Sequence, residues 1–378
     1  MSTLLPSRYL TFPIQNDLKE KMVFLGGPRQ VGKTTFSQSL LKNGHQNSAY
    51  FNWDSAEHRE IILKGQWPAT EKLIILDELH KYARWRNLIK GFYDTQKSSH
   101  QFLVTGSARL DYYRKGGDSL MGRYHYFRMH PFSLGELGYS KDSLENLIKF
   151  GGFPEPLFAQ KEKTLRRWQL QRLERIIRED LIDLERVKEI SLLERLAEAL
   201  PDRVGSPLSV KNLSQDLMVD FKTAERWVTI LENLYYAFRI PPYGAPKIKA
   251  VKKEQKLYLW DWSAISSAGA KFENLVASQL LKYCHFEEDS EGHRMELRFI
   301  RDVYGREVDF VVLKNKKPIF AVECKTGEKQ LSSVIPYLID RTDIPHFYQI
   351  HLGTKHYSPH PKAEVIPFIE FCKKLNLP

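Results

Sequence analysis

Met22-Val23-Phe24-Leu25-Gly26-Gly27-Pro28-Arg29-Gln30-Val31-Gly32-Lys33-Thr34-Thr35 contains Gly-x4-Gly-Lys-Thr from Gly27 to Thr34, between a short apolar run and a helical pattern. This is the layout of a phosphate-binding loop that joins a strand to a helix. Its glycines let the backbone curl so that successive N–H groups converge on a polyphosphate, aided by the positive end of the next helix. The predicted cradle comprises Gly27, Gln30, Val31, Gly32, Lys33, Thr34 and Thr35. Lys33 is placed for the β- and γ-phosphates, and the Thr34 hydroxyl for Mg²⁺. The pattern therefore predicts binding of a nucleoside triphosphate, ATP with Mg²⁺.

A P-loop needs a second acidic site. Leu73-Ile74-Ile75-Leu76-Asp77-Glu78 reads as a buried parallel strand that ends in two acids. Asp77 is positioned to hold Mg²⁺, and Glu78 to orient or deprotonate an attacking water. A third strand, Gln101 to Ala108, ends in polar residues; Ser107 there either senses the γ-phosphate or makes local turn hydrogen bonds. Helical stretches such as Trp85 to Gln96 separate the strands, which predicts a βαβαβ parallel sheet with its ligand at the strand ends.

The chain has 378 residues, enough for two or three domains with cores of their own. Its hydrophobic content of 42% fits globular packing and excludes a disordered polymer. A net charge of +11 favours a polyanionic partner, nucleic acid before membrane; DNA is the nucleic acid expected. Cys284, Cys324 and Cys372 are scattered and suggest neither a disulfide framework nor a zinc site. No apolar run approaches the ~18 residues of a membrane span, and the N-terminus lacks a secretory pattern, so the expected location is the cytoplasm.

Gly-Pro-Arg-Gln-Val-Gly-Lys-Thr, Leu-Asp-Glu-Leu-His-Lys, Thr-Gly-Ser-Ala, Met-Gly-Arg and Pro-Phe-Ser-Leu-Gly-Glu-Leu follow one another in that order. Together they resemble the prokaryotic AAA+-type ATPases that carry a C-terminal domain of unknown function with a nuclease-like fold. The resemblance implies that Arg123 reaches a γ-phosphate, for example that of a neighbouring subunit in a homo-oligomer. The other reading of Arg123 is a salt bridge beneath the following strand. Gly151-Gly152-Phe153-Pro154 is similar to the Gly-x-Pro element of related ATPases, which implies a hinge to a helical lid and contact of Pro154 with the nucleotide. Arg109 and Arg114 are further candidate sensors.

Residues 161–200 read as helical. In 205–262, two short helical patterns precede strands at Tyr235 to Ile240 and Lys256 to Asp261. That order suggests a winged helix, with Lys247, Lys249, Lys252, Lys253 and Lys256 in or beside the wing. Such lysines either meet nucleic-acid phosphates or line a solvated loop.

Arg306-Glu307-Val308-Asp309-Phe310-Val311-Val312 and Pro318-Ile319-Phe320-Ala321-Val322-Glu323-Cys324-Lys325 read as a hairpin that ends in Glu-x-Lys. Asp309 and Glu323 could share Mg²⁺ or Mn²⁺, with Lys325 orienting water and Glu273 arriving from a helix upstream. This resembles the PD-(D/E)xK nuclease superfamily, although Val308 stands where the literal motif has Pro. Glu254-Gln255-Lys256 also matches Glu-x-Lys, but no apolar strand or acidic hairpin precedes it.

The expected architecture is α/β. It comprises a P-loop AAA+-type domain over 1–155, a helical lid over 156–204, a winged-helix-like module over 205–262 and a restriction-endonuclease-like domain over 263–378. The expected function is ATP hydrolysis coupled to a nuclease-like domain that binds, remodels or cuts nucleic acid. The alternative is a regulatory ATPase whose non-catalytic nuclease-like domain recognises a protein partner.

Overall fold

The computed structural model describes residues 6–42, 47–106, 120–177, 190–244 and 254–378. The chain divides into two compact units, the first running to Pro131 and the second starting at Phe132.

In the first unit, α1 (Thr11–Asp17) precedes β1 (Met22–Gly26) and α2 (Lys33–Lys42). There follow β2 (Ser48–Asn52), α3 (Ala56–Lys64), β3 (Leu73–Asp77), α4 (Trp85–Gln96), β4 (Gln101–Thr105) and β5 (Tyr124–Arg128). The five strands form one parallel sheet in the order β2-β3-β4-β1-β5. Every residue of β1 and β3 is buried, as their unbroken apolar runs require of strands covered on both faces. On one face, Phe24, Ile74, Leu76, Phe102 and Val104 pack with Trp85, Ile89 and Phe92 of α4. Gly65 ends α3 in the left-handed conformation, at a point where a Cβ would meet the Phe92 ring at 2.6 Å. The register sets Asp77 beside Thr105 and Leu25 beside Thr105, so β1, β3 and β4 end together at the edge that carries the P-loop.

The second unit begins with α5 (Lys141–Phe150), α6 (Pro154–Ala159), α7 (Glu162–Arg175), α8 (Ile190–Ala199), α9 (Val210–Asp216) and α10 (Phe221–Asn233). Side chains cap several of them: Ser140 for α5, Ser209 for α9 and Asp220 for α10. β6 (Ala237–Ile240) then pairs antiparallel with β7 (Lys256–Leu259). The helix–helix–strand–strand order expected between 205 and 262 is thus present. Of the lysines assigned to a wing, Lys247, Lys249, Lys252 and Lys253 lie outside the described residues.

α11 (Ala268–Glu291) leads into β8 (Met295–Arg301), β9 (Glu307–Lys314), β10 (Lys317–Lys325), α12 (Val334–Ile339), β11 (Phe347–His351), β12 (Tyr357–His360), β13 (Ala363–Pro367) and α13 (Phe368–Lys374). The strands form a mixed sheet in the order β12-β13-β11-β10-β9-β8. The hairpin read from sequence is β9–β10, antiparallel with Val322 opposite Phe310. One pairing step further along brings Glu323 beside Asp309.

α11 is the spine of this unit. Asn274 clamps β7 through both Leu259 backbone groups, at 2.7 Å each. Gln279 accepts from Leu134 N–H at 3.2 Å, and Lys282 donates to Ser133 Oγ at 2.7 Å and to Glu136. The Phe132 to Leu137 part of the Pro-Phe-Ser-Leu-Gly-Glu-Leu segment is therefore built into the second unit through α11. The division between the two units falls at 131/132, while the expected end of the P-loop domain was 155.

Candidate functional site

The loop after β1 closes on backbone that only glycine accepts. Gly27 has φ of 145°, and a Cβ there would lie 2.5 Å from the Met129 carbonyl oxygen. Gly32 has φ of 98°, which aims the chain into α2 directly at Lys33. Buried Arg8 fastens this loop from outside, donating to the carbonyls of Val31 at 3.4 Å and of His130. Lys33 Nζ donates to the carbonyls of Gly27 at 2.9 Å and Pro28 at 2.8 Å, so its ammonium lies across the loop. Gln30 is half-buried with φ of 62°, Val31 is buried, and Thr34 and Thr35 are exposed at the start of α2.

Asp77 is the hub of the site. Its Oδ2 accepts from Thr34 Oγ1 at 2.8 Å and from Tyr50 Oη at 2.5 Å, and its Oδ1 accepts from Thr105 Oγ1. These donors are neutral hydroxyls, which orient the carboxylate without themselves cancelling its charge. Burial, then the Asp77 hydrogen bond, pushes the Tyr50 hydroxyl's pKa up, so Tyr50 stays a donor. Glu78 has left-handed backbone (φ of 58°) held by its N–H to the Thr105 carbonyl at 3.1 Å. Burial raises the Glu78 carboxyl above the ordinary carboxylate range; Lys33 pulls it back and Asp77 adds to the rise. A carboxylate so raised is a better proton acceptor.

Mg²⁺ and ATP fit these residues. The glycine-built cradle admits a polyphosphate, Lys33 supplies a cation beside it, and the Thr34 hydroxyl and Asp77 carboxylate already converge at hydrogen-bond distance. Ser107, Arg109 and Arg114 lie outside the described residues. Pro154 belongs to the second unit, where it sits in the first turn of α6.

Arg123 is paired inside its own unit. It forms a two-bond pair with Asp94 of α4, Nε to Oδ1 at 2.7 Å and Nη2 to Oδ2 at 3.2 Å. Its carbonyl accepts from Met22 N–H, at the start of β1, whereas the P-loop leaves the other end of that strand. About 17 Å of strand separates the two ends, which puts the P-loop of the same chain out of reach. The salt-bridge reading is the one observed.

The second unit gathers the residues expected at a second acidic site. Asp309, Glu323 and Lys325 stand on β9 and β10, and Glu273 arrives from α11. A residue that the sequence reading set aside joins them. The Lys256 side chain is completely buried, and its Nζ contacts Glu273 Oε1 at 3.1 Å, Asp309 Oδ1 at 3.3 Å and Glu307 Oε1. Tyr258 Oη donates to Glu273 at 2.7 Å, and Cys324 N–H to Asp309 Oδ2 at 2.8 Å. Lys325 pairs with Glu323. Burial, then Asp309, pushes the carboxyls of Glu273 and Glu323 each up to about 7.

This arrangement does not fit the divalent ion expected at Asp309 and Glu323. Ammonium groups already contact these acids, and among the described residues no group of His, Cys, Asp and Glu is arranged to hold a metal ion. Lys256 is likewise no phosphate contact, being sealed from solvent. A lysine inside the apolar run Lys256-Leu257-Tyr258-Leu259-Trp260 was the available signal for it. Arg8, Tyr50 and Glu307 had none, because their partners are distant in sequence.

Comparison with known proteins adds the following. Residues 19–138 match the family model of an AAA domain, and residues 141–274 and 268–371 match two separate domains of unknown function. An uncharacterized protein of Mycobacterium tuberculosis is 23% identical over 322 residues, covering 79% of this chain and 71% of that protein. One of Methanocaldococcus jannaschii is 24% identical, covering 85% and 79%. Among solved structures, a Walker-type ATPase of Pyrococcus abyssi aligns with a TM-score of 0.43 at 13% identity, covering 71% of this chain and 96% of that one. The RuvB Holliday junction branch migration motor of Thermotoga maritima aligns with a TM-score of 0.30 at 17% identity, covering 61% and 87%. The family match and the geometry around Lys33, Thr34 and Asp77 agree: the first unit of this chain is a P-loop ATPase domain of the AAA type.

Proposed function

We propose that this protein hydrolyses ATP in its first unit and uses the cycle to bind or remodel nucleic acid, DNA in the first instance, through its second unit. The observation that carries the ATPase half is the Thr34–Asp77 contact with half-buried Glu78 beside it. Lys33 turns from the Gly27 and Pro28 carbonyls to the β- and γ-phosphates. Thr34 and Asp77 hold Mg²⁺, which when bound neutralises phosphate charge and aligns the γ-phosphate for attack. Glu78 orients the attacking water and accepts its proton. Tyr50 and Thr105 keep Asp77 turned toward Thr34 throughout.

Nucleic acid as the partner is supported by the net charge of +11. Binding measured against salt tests this part. Replacing Lys249, Lys252 and Lys253 together should lower the slope of log K against log salt by roughly 0.7 to 0.9 for each phosphate that is no longer neutralised. An unchanged slope removes those lysines from the interface, and no binding to single-stranded, duplex or branched DNA removes the DNA reading.

A second reading has an observation of its own. Lys256 among the acids favours a nuclease-like domain that binds a partner, here a protein, without cutting. No cleavage step follows from this cluster. Metal-dependent cutting by the wild-type protein that disappears in Asp309→Ala would overturn that reading.

A further inference from the structure

Lys256 is the one strand residue of β7 that carries a charge, and its side chain has no exposure to solvent. Burying an ammonium is unfavourable unless it is paired and hydrogen-bonded. Here the pairing is generous: Glu273 from α11 and Glu307 and Asp309 from β9 all meet Nζ, which also lies 5.7 Å from the Phe299 ring centroid. Glu323 feels the same ammonium and is contacted directly by Lys325. Tyr258 and the Cys324 N–H complete the shell.

We propose that Lys256 is the resident cation of this cluster: its ammonium takes the place of a divalent metal, excludes one, and fastens the β6–β7 module to the C-terminal sheet. A divalent ion cannot take the position that Nζ occupies, and one placed against it would meet repulsion on top of the loss of hydration of both. The exclusion is a matter of occupancy. As they stand, the acids are not arranged to hold a metal, so they must move once the ammonium is gone. Glu273 Oε1 and Asp309 Oδ1, now 3.1 and 3.3 Å from Nζ, need to close by roughly 1 Å to reach the ~2.0–2.6 Å of a divalent ion. That closure is small, so deleting the Lys256 side chain opens a metal site at Glu273 and Asp309. Whether the chain acts on DNA or on a protein does not enter, and ATP turnover is not the readout, so this inference and the proposed function fail separately.

The test is Mn²⁺ binding to the full chain without nucleotide, followed by the electron paramagnetic resonance of free Mn²⁺ in four proteins. These are wild type, Asp309→Asn, Lys256→Ala and Lys256→Ala with Asp309→Asn. Any contribution of the P-loop is common to all four and cancels. Wild type and Asp309→Asn should bind the same amount. Lys256→Ala should gain one equivalent, at least about tenfold tighter than any wild-type binding, and the double variant should lose that gain. Lys256→Ala should also melt below wild type, and Mn²⁺ should return most of the difference. An equivalent of Mn²⁺ in wild type that is lost in Asp309→Asn overturns the proposal, as does a folded Lys256→Ala that gains none. If Lys256→Ala does not fold, Lys256→Met with Glu307→Gln removes one charge of each sign and takes its place under the same criteria.

Discussion

The two acidic sites of this chain use the same residue types at strand ends and reach opposite electrostatic results. At the nucleotide site, Asp77 is held by the hydroxyls of Thr34, Tyr50 and Thr105. Hydroxyls fix a carboxylate's direction without cancelling its charge, which keeps it a competent metal ligand. In the second unit, Glu273, Asp309 and Glu323 are met by the ammonium groups of Lys256 and Lys325. An ammonium fixes direction and cancels charge together. The lesson is that the two sets of acids differ in their donors, hydroxyls at Asp77 and ammonium groups at Asp309 and Glu323. Counting acids cannot distinguish the cases.

The largest effect expected from this comparison is at Glu78. Glu78→Gln should cut ATP turnover by about 10²–10⁴-fold while ATP still binds, and Lys33→Ala should lose tight binding itself. Because burial raises Glu78, and the base must be ionised to accept a proton, turnover should fall as pH drops through a value above the ordinary carboxylate range. Normal turnover in Glu78→Gln, measured by phosphate release, would sink the assignment.

Next in size is the buried pair of Lys282 with Glu136, the same ammonium-on-carboxylate device in a purely structural setting. Lys282→Met takes the ammonium from the Glu136 carboxylate, which keeps its Ser133 donors, and should cost about 3–5 kcal/mol by chemical denaturation. A loss below about 1 kcal/mol would place this pair with surface ion pairs and weaken the claim that such lysines hold the second unit together.

Tyr50→Phe sharpens the other half of the comparison. Removing one neutral donor from Asp77 should raise the Mg²⁺ concentration needed for half-maximal ATPase by about fivefold, the equivalent of one hydrogen bond. A response as large as that of Asp77→Ala would mean that Tyr50 does more than orient.

The smallest effect is expected at Arg123, whose partner is the exposed Asp94. Arg123→Ala should hydrolyse ATP at close to the wild-type rate. A loss of about a thousandfold, rescued by mixing with Lys33→Ala protein, would reinstate a role between subunits.

Local patterns made the nucleotide site legible. Gly27 to Thr34 is contiguous, and Leu73 to Asp77 is an apolar run long enough to be a buried strand, so loop and acid could be named without knowing how the sheet is ordered. The helix over Trp85 to Gln96 and the β9–β10 hairpin were readable for the same reason: each depends on neighbours in sequence. The chemistry of the second cluster was not readable. Lys256 lies 17 residues from Glu273 and 53 from Asp309, and nothing in a stretch around any one of them announces the others.

By itself, then, the sequence determined a phosphate-binding loop, its acidic partner strand, an α/β chain and a strongly basic charge, all properties of short windows or of composition. Tertiary structure alone decided that Asp77 is oriented by Tyr50, that Pro131 and Phe132 mark the boundary between units, and that Arg123 serves Asp94. It also decided that a buried lysine stands among the acids where a metal was expected. The physical reason is common to all four. The state of a charged or polar group depends on its solvation and on which partners the fold brings within a few ångströms, and those partners come from anywhere in the chain.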